Sequence, residues 1–489
     1  MRSLETLNFD NSYGRLPPVF YSRLEPTPLR DPYLVSFNAG AAPLLDLDPA
    51  EARREEFVAA MAGNSPLPGA EPLAMLYSGH QFGQYVPQLG DGRAILLGEV
   101  VNSRNERWTL QLKGAGATPY SRGADGRAVL RSTIREYLCS EAMHGLGIPT
   151  TRALCIVGAD EPVFRETEET AAVLLRLAPS HVRFGSFEVF YYRKQHNNLK
   201  LLADYVIAEY FPEFSGDPDP YHRLLLTVTE RTARLIARWQ AVGFAHGVMN
   251  TDNMSILGVT LDYGPFGIME RFDPGYICNH SDEHGRYSFE NQPHIGLWNL
   301  TCLAQALTPL IPVDQCNDAL ARYQPACLEA YAALMRAKLG LATADDSDRE
   351  LVADLLGSMA ENGVDYTIFF RRLGTFKQDA GAGHAVLSDL FANREAFDGW
   401  AGRYRARLAL ENSNDAEREQ RMNRVNPKYV IRNHLAEIAI RKAAEQKDYS
   451  EIDRLLKLLG RPFDEQPDME SYAGFPPEWA QQIQVSCSS

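Results

Sequence analysis

The stretch His246-Gly247-Val248-Met249-Asn250-Thr251-Asp252-Asn253, followed by Asp262-Tyr263-Gly264, gathers groups able to handle a metal-bound phosphate. Asn253 and Asp262 offer an amide oxygen and a carboxylate, hard donors that suit Mg²⁺ when it bridges phosphates. Asp252, beside them, is the nearest group able to accept a proton. Upstream, Lys113 supplies a cation for phosphate and Glu136 a carboxylate to hold it. Gly90 and Gly92, before Arg93, permit close backbone approach to a phosphate, as does the glycine-rich stretch from Gly114 through Asp125 and Gly126 to Arg127. Arg93, Arg127, Arg176 and Arg183 add guanidinium groups that grip phosphate oxygens in pairs. Each feature alone has a plainer reading. The Asp-Asn pair reads as a solvated turn, the Lys-Glu pair as two surface charges, Asp91-Gly92 as a hairpin turn and each arginine as structural.

The order of these groups along the chain favours nucleotide chemistry. Protein kinases carry a catalytic loop H-R-D-x-x-x-x-N followed by D-F-G, with a strand lysine paired to a helix glutamate upstream. Here the spacing from His246 to Asn253 is kept and Asp262-Tyr263-Gly264 follows. Val248 stands where the kinase base would be. The metal-holding half of such a site is therefore present, and the base has gone or moved. An atypical kinase using Asp252, a nucleotide-binding scaffold and a different transferase all remain open on the residues alone.

The elements that must position these groups are legible in outline. Residues 94–101 and 108–113 read as strands, with Trp108, Leu110 and Leu112 on one face and Thr109, Gln111 and Lys113 on the other. A helix is expected from an N-cap at Ser132 to Gly145, and a buried strand at 173–177. Leu224, Val228, Leu235, Trp239 and Val242 mark an amphipathic helix ending at Gly243, just before His246. A short hairpin around Gly258 should hold Asn253 near Asp262. Two tail helices are expected at 428–446 and 450–460, with a mobile tail beyond Pro462. This is an α+β chain in the order of a protein-kinase-like two-lobed fold. The expected division is an N-terminal extension (1–70), an N-lobe (71–178), a helical C-lobe (179–410) and a helical C-terminal region (411–489).

Bulk properties narrow the partners. The chain has 489 residues, 45% hydrophobic and 23% charged, with 49 Lys plus Arg against 63 Asp plus Glu. A formal charge of −14 argues against nucleic acid, which needs a basic face. No apolar run is long enough to span a membrane and residues 1–23 lack a signal core, so the expected location is cytoplasmic. The seven cysteines form no C-x-x-C pair, so neither a zinc knuckle nor a disulfide framework is expected. His280, Asp282 and His284 read better as a solvated loop than as metal ligands, and His80 has no evident partner.

At these residues the sequence resembles the selenoprotein O family, YdiU-type pseudokinase-like protein adenylyltransferases. The resemblance is carried by Tyr77-Ser78-Gly79-His80-Gln81-Phe82-Gly83, Pro87 to Ala94, Gln111 to Gly116, His246 to Asn253, Asp262 to Gly267 and Asn426 to Tyr429. It implies a kinase-like fold that binds ATP flipped and transfers AMP to Ser, Thr or Tyr hydroxyls of proteins. UMP transfer from UTP, favoured by Mn²⁺, is also implied. On this basis Lys113 contacts phosphates and pairs with Glu136, Asp252 accepts the proton, and Asn253 and Asp262 hold Mg²⁺. Gly90, Gly92, Arg93, Asp125, Gly126, Arg176 and Arg183 line the nucleotide site. Some members carry selenocysteine near the C-terminus, where this chain has Cys487. The resemblance therefore also implies protein substrates in redox homeostasis and a regulatory pairing of Cys487, for which Cys278 is the candidate partner.

Overall fold

Successive apolar residues in a strand point to opposite faces, so a strand such as 94–101 needs cover on both sides. The computed structural model, which describes residues 1–379 and 383–486, provides that cover. Ten strands precede the helical half: β1 (Tyr21–Arg23), β2 (Tyr33–Phe37), β3 (Leu73–Met75), β4 (Gly79–Gln81), β5 (Gln84–Val86), β6 (Ala94–Val101), β7 (Arg107–Lys113), β8 (Ala128–Val129), β9 (Arg152–Phe164) and β10 (Glu168–Ala178). An antiparallel sheet runs β1-β3-β6-β7-β10-β9-β2, with β8 against β10. β4 and β5 form a separate hairpin.

One face of the sheet, including Ile95, Leu97, Leu110, Leu112 and Leu175, packs under the N-terminal segment through Leu4, Leu45 and helix α1 (Glu55–Met61). The other face, including Leu96 and Leu174, packs on helix α2 (Leu130–Gly145) through Ile134 and Leu138. Residues 1–70 thus contribute both two strands and one layer of cover. The alternation expected for residues 108–113 holds, with Leu110 and Leu112 under the N-terminal layer. Thr109 and Gln111 are buried on the opposite face as well.

Helix α2 begins three residues earlier than its sequence signal. Val129 occupies the N-cap, and Ser132 lies inside the helix with its hydroxyl donating to the Val129 carbonyl. The strand expected at 173–177 is the second half of the longer β10, and its partner β9 went unread.

The second half is helical: α3 (Phe184–Tyr192), α4 (His196–Tyr210), α5 (Pro220–Val242) and α6 (Gln292–Leu307) are followed by further helices to residue 459. Pro220 opens α5 at a position where its missing N–H costs nothing, and Gly243 closes it in the left-handed region at φ 73°. The two tail helices are Asn433–Gln446 and Ser450–Leu459. The first starts later than expected because residues 428–432 run without regular structure into an Arg432–Asp365 ion pair. A separate core, including Leu355, Phe369 and Trp400, holds much of the C-terminal helical region. Beyond Leu459 the chain reaches Val485, whose buried carbonyl accepts from the His280 backbone N–H at 2.8 Å. Among the described residues no helix is long and apolar enough to cross a membrane.

Candidate active site

The sheet, α2 and the loop after α5 meet around a cleft of about 640 Å³. Lys113, at the end of β7, and Arg176, on neighbouring β10, enter it from the sheet. Glu136 of α2 lies beneath, one carboxylate oxygen accepting from Lys113 Nζ and the other from Arg176 Nη1 at 3.0 Å. The strand-lysine and helix-glutamate pair expected from sequence order is therefore formed. Burial draws the Lys113 pKa down even though Glu136 favours its charge.

Asp262 is the electrostatic centre. One of its oxygens accepts from Arg176 Nη1 and the other from Arg183 Nη1, and Lys113 Nζ lies 3.8 Å away. Burial opposes ionisation, but the three cations outweigh it and hold this carboxyl well below the usual range. Its backbone sits at φ 54°, an uncommon conformation for a side chain other than glycine.

The loop after α5 is fixed from several sides. His246 is buried, and burial lowers its pKa, so the ring is neutral. Its Nε2 lies 2.9 Å from the Leu261 carbonyl, and its Nδ1 accepts from Val248 N–H at 3.4 Å, which assigns the proton to Nε2. The loop and the Asp262 segment are thereby tied together. Gln292 and Asn299 of α6 bond to His246 and Met249, and the Arg183 guanidinium donates to the Asp252 carbonyl at 2.7 Å. Asn253 donates its amide nitrogen to the Val248 carbonyl at 3.0 Å, which leaves its oxygen as the available donor. The hairpin expected around Gly258 is reduced to one bridge, Met254 with Thr260.

Asp252 is 8% exposed, and burial pushes its pKa up to about 7 against the pull of Arg183 and Gln81. Its Oδ1 has no hydrogen-bond partner among the described residues.

The remaining expected residues line the same cleft. Gly90 and Gly92 form its rim under Tyr120: a Cβ on Gly90 would lie 2.6 Å from the Tyr120 ring, and one on Gly92 2.9 Å from the Tyr120 carbonyl. Asp125 and Gly126 line it as well. Asp125 is bound by Arg165, and Arg127 is occupied by the carbonyls of Thr27 and Pro28. Arg93 lines the cleft and pairs with no carboxylate among the described residues. Sequence reasoning missed Gln81, Phe82, Arg122 and Arg165, which also line it. Gln81 and Phe82 lay in the noted Ser78–Gly83 motif, but no spacing rule tied them to the loop after α5.

Two expectations from outside the cleft also meet the structure. His80 does have a partner: its Nδ1 is 2.9 Å from Glu188 Oε2 on α3. His80, Glu188 and Cys302 are the one group of His, Cys and carboxylate side chains close enough together to hold a metal ion among the described residues. The solvated-loop reading holds for His280 and His284, which are exposed, but not for Asp282, which is buried and accepts from the backbone N–H groups of Arg286 and Tyr287.

Residues 3–460 match the family described as protein adenylyltransferase SelO. The chain belongs to the SelO family. A protein of Thiobacillus denitrificans named protein nucleotidyltransferase YdiU is 61% identical over 489 residues, covering 100% of both chains. The protein of that name from Myxococcus xanthus is likewise 61% identical over 489 residues, with 100% of each chain covered. The one from Thioalkalivibrio sulfidiphilus is 59% identical over 498 residues, again with 100% of both covered. The resemblance read from the cleft motifs is therefore a full-length SelO relationship.

Proposed function

We propose that this chain is a protein adenylyltransferase of kinase-like, two-lobed fold that moves AMP from ATP to hydroxyl side chains of proteins. The sheet with α2 forms one lobe and the helices from α3 onward the other, with ATP between them. The observation that carries the reading is the convergence of Lys113, Arg176 and Arg183 on Asp262, with Asp252 beside them and no acidic group at Val248.

The chemistry follows from the side chains. Asp252 takes the proton of the acceptor hydroxyl as that oxygen bonds to the α-phosphorus. The bond from the α-phosphorus to the bridging oxygen of the β-phosphate breaks, and pyrophosphate leaves with the electron pair. Lys113, Arg176, Arg183 and Arg93 offset the charge that grows on it. Gly90, Gly92 and Gly126 let the chain lie close to the nucleotide, with Asp125 held in place by Arg165. Glu136 keeps Lys113 and Arg176 oriented.

The available oxygen of Asn253 and the carboxylate of Asp262 form a hard donor pair that fits Mg²⁺ or Mn²⁺, which when bound neutralises phosphate charge. UTP is a second donor for the same site, giving UMP transfer. The reaction takes place in the cytoplasm, on protein substrates tied to redox homeostasis. Cys487 lies outside the described residues. Its proposed pairing with Cys278 draws support from the His280–Val485 backbone bond, which brings the described end of the chain to the Cys278 segment.

The test is labelling with α- or γ-labelled ATP, using the protein and its Asp262→Ala variant. Label on protein from the α position alone, lost in the variant, is expected. Transfer of the γ label would overturn the reading.

A further inference from the structure

The hairpin of β4 and β5 belongs to no larger sheet, yet it runs against the loop that carries Asp252. Its two-residue turn, Phe82-Gly83, has φ of 48° and 80°, the positive pair that makes the tightest hairpin connection. Three consecutive residues of the hairpin bond to three consecutive residues of the loop. His80 N–H donates to Thr251 Oγ1 at 2.7 Å, Gln81 Nε2 to Asp252 Oδ2 at 3.2 Å, and Phe82 N–H to Asn250 Oδ1 at 3.2 Å.

The approach is as close as the backbone permits. A Cβ on Gly79 would lie 2.8 Å from Asp252 Oδ1, so a larger residue there would displace the carboxylate. At the base of the hairpin, Ser78 N–H donates to the Gly185 carbonyl of α3, and a Cβ on Gly185 would lie 2.0 Å from the Ser78 carbonyl. The His80 ring is clamped by Glu188, also on α3. The hairpin is thus bolted to a helix and presses on the loop.

Asp252 Oδ1 is closed against Gly79 and unpaired among the described residues, so Oδ2 is the oxygen left to meet a substrate. The hydrogen bond from Gln81 is made to that oxygen. We propose that Gln81 is a positioning residue for AMP transfer: its amide fixes the Asp252 carboxylate in the orientation that meets the acceptor hydroxyl, and the β4–β5 hairpin is the rigid arm that carries it. This rests on the reading of Asp252 as the proton acceptor. Gln81 lines the cleft and its side-chain hydrogen bond goes to Asp252, so its expected effect falls on transfer and not on ATP affinity.

The experiment compares Gln81→Met, Gln81→Glu, Asp252→Asn and the Asp252→Asn/Gln81→Met double variant. The readouts are kcat and KM for AMP transfer, ATP affinity and Tm. Gln81→Met keeps the side-chain length and removes the donor, and Gln81→Glu replaces the neutral amide with a second carboxyl against Asp252. Each is expected to lower kcat on the order of 10-fold to 100-fold, with ATP affinity and Tm unchanged. In the double variant the Gln81 change is expected to add no further loss, because it acts through a carboxylate already removed. Wild-type kcat in both Gln81 variants, an effect confined to ATP affinity, or a full further loss in the double variant would overturn the proposal. Asp252→Asn with undiminished transfer would instead remove the base reading, and the proposal with it. That result is distinguishable from failure at Gln81 alone.

Discussion

Arg176 and Asp262 form an ion pair across the cleft, the arginine side chain 4% exposed and the aspartate 18%. Arg176 also serves Glu136 and Gln111, so one guanidinium ties the sheet, α2 and the Asp262 segment together. Removing one partner of a buried pair leaves a desolvated charge, a loss of about 3 kcal/mol. Arg176→Ala is therefore expected to lower Tm measurably as well as activity, and Arg176→Lys to recover little, because an ammonium lacks the fork that reaches three partners. Thermal denaturation of the two variants checks this. A Tm equal to that of the parent would remove the structural half of the claim.

Asp252→Ala separates chemistry from binding. Loss of a general base lowers rate about 10²-fold to 10⁴-fold, while in the proposed reading the nucleotide is held by Lys113 and the arginines. Transfer from α-labelled ATP should fall by that order, with ATP affinity measured by calorimetry retained.

Lys338 gives a pH prediction remote from the cleft. It is buried, with its ammonium 4.2 Å from the Phe370 ring centre and 5.2 Å from that of Tyr366. Burial brings its pKa down from 10.5 to about 7. The unfolded chain then binds more protons than the folded one between about pH 7 and 10.5, so this group's destabilising effect is full below pH 7 and fades as pH rises. Lys338→Met is expected to raise Tm at pH 7, with the gain shrinking towards pH 10. Chemical denaturation across that range is the measurement. A gain that does not change with pH would mean that packing alone, and not charge burial, explains the difference.

Cys278 packs against the backbone of the loop after α5: a Cβ on Gly247 would lie 2.7 Å from its sulfur. A bond from Cys278 to Cys487 would therefore reach that loop directly. Peptide mass spectrometry of oxidised, unreduced protein should recover a 278–487 linkage, and reduction should raise transfer activity. Cys278→Ser should lose both the linkage and the response to reductant.

The sequence carried the site better than the scaffold. His246, Asn253 and Asp262 are legible because a fixed spacing reflects one loop geometry, and Lys113 with Glu136 because strand and helix order brings them together. Gln81 was not legible, since its link to Asp252 depends on how a free-standing hairpin docks, which no local pattern encodes. β9 was missed because its outer end, from Asp160 to Phe164, breaks the apolar run with charge and proline. The start of α2 was misplaced because Ser132 resembles a cap, whereas its hydroxyl bonds back into the helix it was expected to begin.

The placement of β2 bears on how the chain is made. Residues 33–37 pair with β9, which emerges much later, and Ser36 Oγ donates to Asp453 Oδ1 at 2.7 Å. β2 must therefore wait on the ribosome for a partner made well downstream in the first third of the chain, and one contact waits almost until synthesis ends. Such long-range closure slows folding and leaves apolar strands uncovered in the interval. The nascent chain should lean on holding chaperones until residue 164 is out, and clipping residues 1–62 from the finished protein should strip the apolar layer over Leu110 and Leu112 and precipitate what remains.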